Sequence, residues 1–149
     1  MLSSIEEIQQ AMEKHKYITD RPLATIIYLA QAVEKPVLLE GQAGVGKTDV
    51  AKVIAEVLDT RLIRLQCYEG IDTSQALYEW NYPKQMLRIK LGELEGGSKE
   101  KVESEIFSEP FLLKRPLLEA ISNDLSAPPV LLIDEIDRAD DEFEGLLLE

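Results

Sequence analysis

Eight consecutive residues, Gly41-Gln42-Ala43-Gly44-Val45-Gly46-Lys47-Thr48, constrain this chain more than any other stretch of it. They fit the pattern G-x-x-x-x-G-K-[ST] without a gap, in which a loop between a strand and a helix turns its backbone amides toward a chain of phosphates. Three glycines let the backbone curl so that successive N–H groups converge where a Cβ would clash, and the result is an anion nest. The flanks suit that reading. The apolar run Pro36-Val37-Leu38-Leu39 is expected to be the strand before the loop, and Ala51, Ile54, Ala55 and Leu58 recur at helical spacing after it. A helix starting near Gly46 adds its unpaired amides and the positive end of its dipole. A plain glycine-rich turn has no need of Lys-Thr beside the third glycine.

These residues predict a nucleoside triphosphate site with ATP and Mg²⁺ as cofactors. Gly41, Gln42, Ala43, Gly44, Val45, Gly46, Lys47, Thr48 and Asp49 are the candidate nucleotide-binding residues. Lys47 is expected to reach the β- and γ-phosphates as a point charge, and the Thr48 hydroxyl to ligate Mg²⁺. The choice of ATP over GTP lies outside this loop. A second signal is Pro128-Pro129-Val130-Leu131-Leu132-Ile133-Asp134-Glu135, an apolar run ending in two carboxylates. It reads as a buried parallel strand, 130–135, delivering acids to the carboxyl edge of a sheet, where ligands bind in open α/β folds. Asp134 then holds Mg²⁺ through water, and Glu135 polarises the attacking water as general base. Strands also end in solvated acids, so the second signal takes its weight from the first.

With both segments in view, the chain resembles a known family. Gly41–Thr48 together with Leu132-Ile133-Asp134-Glu135-Ile136-Asp137-Arg138-Ala139 is similar to the AAA+ ATPases, and the continuation past the acids resembles their MoxR branch. Arg64-Leu65-Gln66-Cys67-Tyr68-Glu69-Gly70 and Ala76-Leu77-Tyr78-Glu79-Trp80-Asn81-Tyr82 resemble the MoxR-like ATPases that accompany molybdenum-containing carbon monoxide dehydrogenases. The resemblance implies an α/β fold, a three-layer P-loop NTPase core with a parallel sheet. It implies Lys47 and Glu135 as the catalytic pair, and Thr48 and Asp134 as the metal ligands. It also implies a homo-oligomeric ring, a hexamer, that works with a von Willebrand A domain protein as a chaperone maturing a client metalloenzyme. AAA+ modules continue into a sensor-1 strand, an arginine finger and a helical lid. By that comparison the chain to Glu149 reads as the N-terminal portion of one domain, truncated before the sensor-1 strand, and is expected to be inactive alone. Arg138 resembles a family arginine near the subunit interface. It is open between pairing with carboxylates beside Asp134, reaching a neighbour's nucleotide, and plain surface exposure.

Composition narrows the partners. A chain of 149 residues with 45% hydrophobic and 30% charged residues is ordinary for a soluble domain, and a net charge of −12 without a basic stripe argues against nucleic acid. The longest apolar stretch, 23–33, is broken by Gln31 and too short to cross a bilayer. The start Met1-Leu2-Ser3-Ser4-Ile5-Glu6-Glu7 lacks the regions of a signal peptide, so the expected compartment is the cytoplasm. One histidine, His15, and one cysteine, Cys67, offer no transition-metal cluster, and Cys67 reads as a small hydrophobe at a strand end.

Punctuation divides the rest. Ser4-Ile5-Glu6-Glu7 fits a capping box opening a helix, and Thr19-Asp20-Arg21-Pro22 opens another with Leu23, Ile26, Ile27 and Ala30 as its apolar stripe, so helices occupy 4–34. Between them, Tyr17-Ile18 stands where AAA+ proteins wedge against adenine, or packs the helices. A strand–loop–helix unit follows over 37–58, then a second strand, Arg61–Gln66, too apolar to be one-sided. Asp72-Thr73-Ser74-Gln75 caps a helix whose end carries Tyr78, Trp80 and Tyr82, either core or a grip for a partner. Residues 87–105 read as a solvated linker, or as the insertion MoxR-like proteins carry near the pore; 111–125 read as a helix started or kinked by Pro116. Asp140, Asp141 and Glu142 suit a helix's first turn. Two other classes stay open. A small-molecule kinase has no use for a water-activating carboxylate such as Glu135, and a non-catalytic nucleotide-binding or regulatory module would dispense with turnover.

Overall fold

The computed structural model describes residues 2–42, 44–94, 96, 98–122 and 127–148, which divide into two units, Met1–Arg64 with Asn123–Asp134, and Leu65–Ser122 with Glu135–Glu149.

The first unit is built on three helices, α1 (Ile5–Lys14), α2 (Arg21–Val33) and α3 (Lys47–Val57). Each starts where the local chemistry satisfies orphan amides. Ser4 Oγ accepts from the Glu7 amide at 3.1 Å, and Asp20 Oδ1 accepts from the Leu23 amide at 2.9 Å with Pro22 in the first turn. Only half of the expected capping box closes. The Glu7 carboxylate turns to the Ser3 hydroxyl and amide, at 2.6 and 2.7 Å, and these bonds hold it below the usual carboxylate range. The core joins Ile8 and Met12 of α1, Ala24 and Ile27 of α2, and Val50 and Val53 of α3. Burying side chains of this size contributes about 1.5–3 kcal/mol each for the larger ones.

Two expected faces hold in part, with Leu23 and Ile54 packed on the core and Ile27 and Ala55 buried. On α2, Ala24 and Ile27 are buried while Ile26 is exposed. On α3, Val50, Val53 and Ala55 are buried and Leu58 is exposed. Tyr17 packs on the core whereas Ile18 is 91% exposed.

A parallel pair completes this unit: β1 (Leu62–Gln66) beside β4 (Val130–Asp134). The Val130 amide donates to the Arg61 carbonyl at 2.9 Å and the Thr60 hydroxyl to the Pro128 carbonyl at 2.8 Å, which fixes the strands' entry. β1 does not present two apolar faces. Ile63, Leu65 and the following Cys67 are buried while Arg64 between them is exposed, the alternation of a one-sided strand. The segment expected as the strand before the loop, 36–39, forms no strand. Leu39 packs on the core and Leu38 is 72% exposed, so the alternation is present, but a strand needs a hydrogen-bonded neighbour and no described residue supplies one.

In the second unit, α4 (Thr73–Leu77) has the full capping box of Asp72 with Gln75. The Ser74 hydroxyl and then the Gln75 amide hold the Asp72 carboxyl below its usual range. Tyr78 is the C-cap of α4, yet Tyr78 and Trp80 are strand residues. They lie on β2 (Tyr78–Trp80), antiparallel to β3 (Leu112–Lys114) in the register Tyr78 to Lys114, Glu79 to Leu113 and Trp80 to Leu112. The rings meet edge-on, with Tyr78 to Trp80 at 6.2 Å and Trp80 to Phe107 at 5.5 Å, and Tyr78 and Tyr82 are exposed rather than core.

The 87–105 region is no linker. It belongs to two packed helices, α5 (Tyr82–Leu94) and α6 (Lys99–Ile106), tied by Arg88–Glu105 at 2.7 Å and by Gln85 Nε2 donating to the Ile106 carbonyl at 2.7 Å. The 111–125 region likewise holds β3 and then α7 (Pro116–Ile121), with Pro116 as the helix start; Leu125 lies outside the described residues. A last helix, α8 (Asp141–Leu148), has its first turn held by Asp140 Oδ1 accepting from the buried Phe143 at 2.9 Å.

Candidate functional site

The loop ahead of α3 takes the shape its glycines permit. Gly44 and Gly46 have φ of +82° and +88°, a region that costs an L-residue about 1–2 kcal/mol. A Cβ built on either would meet no heavy atom within 4 Å, so the space above them is open. Gly46 caps α3, its carbonyl accepting from Asp49 and Val50 at 3.0 and 3.3 Å, and the first amides of the helix have no intrahelical acceptor. The Lys47 ammonium lies on the loop, donating to the carbonyls of Gly41 at 2.6 Å and Gln42 at 2.7 Å. A helix N-terminus and an ammonium stand at one loop, a combination that suits an anion.

Beside it the structure brings together the two expected metal ligands. The Thr48 hydroxyl donates to Asp134 Oδ2 at 3.4 Å, the long end of a hydrogen bond, across 86 residues of sequence. A donated hydroxyl keeps its lone pairs for a cation. Hydroxyl and carboxylate oxygens suit a hard cation such as Mg²⁺. The residues therefore fit a metal–triphosphate.

Asp49 pairs with Lys52 at 2.8 Å on the exposed side of α3, Val45 is exposed, and Ala43 lies outside the described residues. Glu135 ends β4 by taking a left-handed conformation, φ +55° and ψ +43°, and its carboxylate accepts from Arg138 Nε at 2.9 Å. Arg138 thus pairs with Glu135. One participant was missed. Arg64 Nη2 reaches Asp134 Oδ2 at 2.7 Å, and the readable signal was a charged residue alternating with Ile63 and Leu65 in an otherwise apolar strand. In the second unit a cleft of about 600 Å³ is lined by Tyr68, Gln75, Glu79, Tyr82 and Arg115, but its charges pair with each other, Arg115 with Glu79.

No described helix is long and apolar enough to cross a membrane. No match emerges among curated proteins or among solved structures. A model of the AAA domain, dynein-related subfamily, matches residues 36–149, well over half of the chain and a span that contains the glycine loop, Arg64, Asp134 and Glu135. AAA domains bind and hydrolyse nucleotide and commonly assemble as oligomeric rings. The α/β architecture with a parallel strand pair agrees with that match, and the chain belongs to the AAA domain family, in its dynein-related subfamily.

Proposed function

We propose that this chain binds Mg²⁺-ATP on the Gly41–Thr48 loop and hydrolyses it to remodel a partner protein, as a MoxR-like ATPase. The observation that carries the reading is the meeting of Thr48 and Asp134 at 3.4 Å beside a loop on which Lys47 already lies. Gly41, Gln42, Gly44, Val45, Gly46 and the first amides of α3 bind the phosphates. Lys47 exchanges its two carbonyl acceptors for β- and γ-phosphate oxygens, whose charge favours an ammonium more than neutral carbonyls do. Mg²⁺, when bound, neutralises charge on those oxygens. Thr48 and Asp134 hold it, and Glu135 accepts the proton of the attacking water once its carboxylate leaves Arg138. The Tyr17-Ile18 turn, with Tyr17 packed on the core and Ile18 exposed, is the place for an apolar wedge against the base in this reading.

The MoxR assignment rests on the Arg64–Gly70, Ala76–Tyr82 and Asp134–Ala139 resemblances. From these follow a hexameric ring, a von Willebrand A domain partner and a client metalloenzyme; a net charge of −12 argues against a nucleic-acid partner, and a cytoplasmic setting without a membrane partner completes the reading. The Glu135–Arg138 pair favours one second reading, a nucleotide-binding regulatory module that does not turn over. Calorimetry of ATP binding to Lys47→Ala tests the first step. Affinity is expected to fall about ten- to a hundredfold, the value of a charge-assisted bond to phosphate. Unchanged affinity would refute the loop assignment.

A further inference from the structure

We infer that Arg64 is a positioning residue that competes with the metal for Asp134 and so sets how much Mg²⁺ the nucleotide needs; this rests on the Mg²⁺-nucleotide reading above. β1 lies beside β4, and from the exposed side of its alternation Arg64 extends Nη2 to 2.7 Å from Asp134 Oδ2. That is the same oxygen the Thr48 hydroxyl approaches at 3.4 Å. Two groups therefore converge on one carboxylate oxygen, the Thr48 hydroxyl, suited with it to a divalent cation, and the guanidinium, a fixed monovalent cation. The Asp134 side chain is 20% exposed and that of Arg64 53%, so the carboxylate is the more enclosed partner and the guanidinium approaches it from the solvent side.

Two consequences follow from that placement. The guanidinium, planar and permanently charged, holds the Asp134 carboxylate in one rotamer by a charge-assisted hydrogen bond. It also cancels the charge that attracts a divalent cation, and a cation bound there is repelled by it. Metal binding must then displace or share the Arg64 bond, and its apparent affinity is reduced by the strength of that bond. Arg64 makes the loop's hold on nucleotide depend on free Mg²⁺ over a higher range than Thr48 and Asp134 alone would set.

The test is equilibrium binding of a fluorescent ATP analogue to the full chain across a Mg²⁺ titration, which reads the metal midpoint without turnover. In Arg64→Gln the Mg²⁺ midpoint is expected to fall about three- to tenfold, the range for one partly enclosed ion pair. Affinity at saturating Mg²⁺ should stay within about twofold of the parent chain. Arg64→Lys, which keeps the charge, should keep the parent midpoint. Should Arg64→Gln melt below the assay temperature, Arg64→Met retains the packing of the stem and carries the same expectation. A uniform loss of affinity with an unmoved midpoint would mean a purely structural role and overturn the inference, as would a raised midpoint or an equal fall in Arg64→Lys. A parent chain that binds nucleotide with no response to Mg²⁺ would instead overturn the metal reading itself, and this inference with it.

Discussion

Gly46→Ala separates the loop's role in binding from its role in folding. Gly46 sits at φ +88° and ψ +18° as the cap of α3. Forcing an L-residue into that conformation costs about 1–2 kcal/mol, and the loss of glycine's freedom in the unfolded chain returns about 0.4–1 kcal/mol. No clash adds to this, since the new Cβ would meet no heavy atom within 4 Å. The net cost is about 1 kcal/mol, a Tm lowered by about 2–4 °C for a chain of this size. Binding should suffer far more. In the proposed complex the open space over Gly46 holds a phosphate, and a methyl group there keeps at least one amide from its oxygen. Losing one hydrogen bond to a charged acceptor is worth about 1.5–3 kcal/mol, or about ten- to a hundredfold in affinity. Differential scanning calorimetry and isothermal titration with ATP measure the two effects on the same variant. Parent-like ATP affinity with a slightly lowered Tm would refute the phosphate cradle. A Tm lowered by tens of degrees would show that Gly46 is packed rather than open.

Glu135→Gln keeps size and hydrogen bonding but removes the base, so it should leave ATP binding near the parent value while lowering steady-state phosphate release about 10²- to 10⁴-fold wherever the parent assembly turns over; unaltered release would assign the base elsewhere. Gly92→Ala should destabilise the chain by about 1–2 kcal/mol, because its Cβ would stand 2.7 Å from Val102 Cγ2 between α5 and α6, and overpacking outweighs the gain of about 1 kcal/mol in helix propensity. Adding Val102→Ala should recover part of the loss in urea denaturation, and an additive double variant would place the strain elsewhere.

How far the sequence could be read depends on how distant the deciding partner is. The caps at Ser4, Asp20 and Asp72 were legible because each closes a bond three residues away. The loop glycines were legible because backbone conformation is a property of the residue itself. The faces of α2 and α3 were legible only in part, with Ile27 and Ala55 but not Ala24, Val50 or Val53, because several apolar residues on one helix can each face inward and the packing neighbour chooses among them. Tyr78 and Trp80 became strand residues through pairing with Lys114 and Leu112, a choice invisible within their own segment.

The acid pair shows both cases at once. Four apolar residues followed by Asp-Glu announce a strand end with two carboxylates, and β4 does end at Asp134. The sequence treats the two acids as one unit, yet a left-handed turn at Glu135 separates their partners: Arg64, 70 residues upstream, for Asp134, and Arg138, three residues on, for Glu135. A left-handed non-glycine residue costs about 1–3 kcal/mol and persists only where its surroundings hold it. At this turn the Arg138 amide donates to the Glu135 carbonyl at 3.0 Å, and the Arg138 guanidinium lies on the carboxylate proposed as the base, an exposed pair that must open for hydrolysis. Each of the two acids thus has a guanidinium of its own, Arg64 on Asp134 and Arg138 on Glu135, and the proposed mechanism requires the first to yield to a metal and the second to release a base.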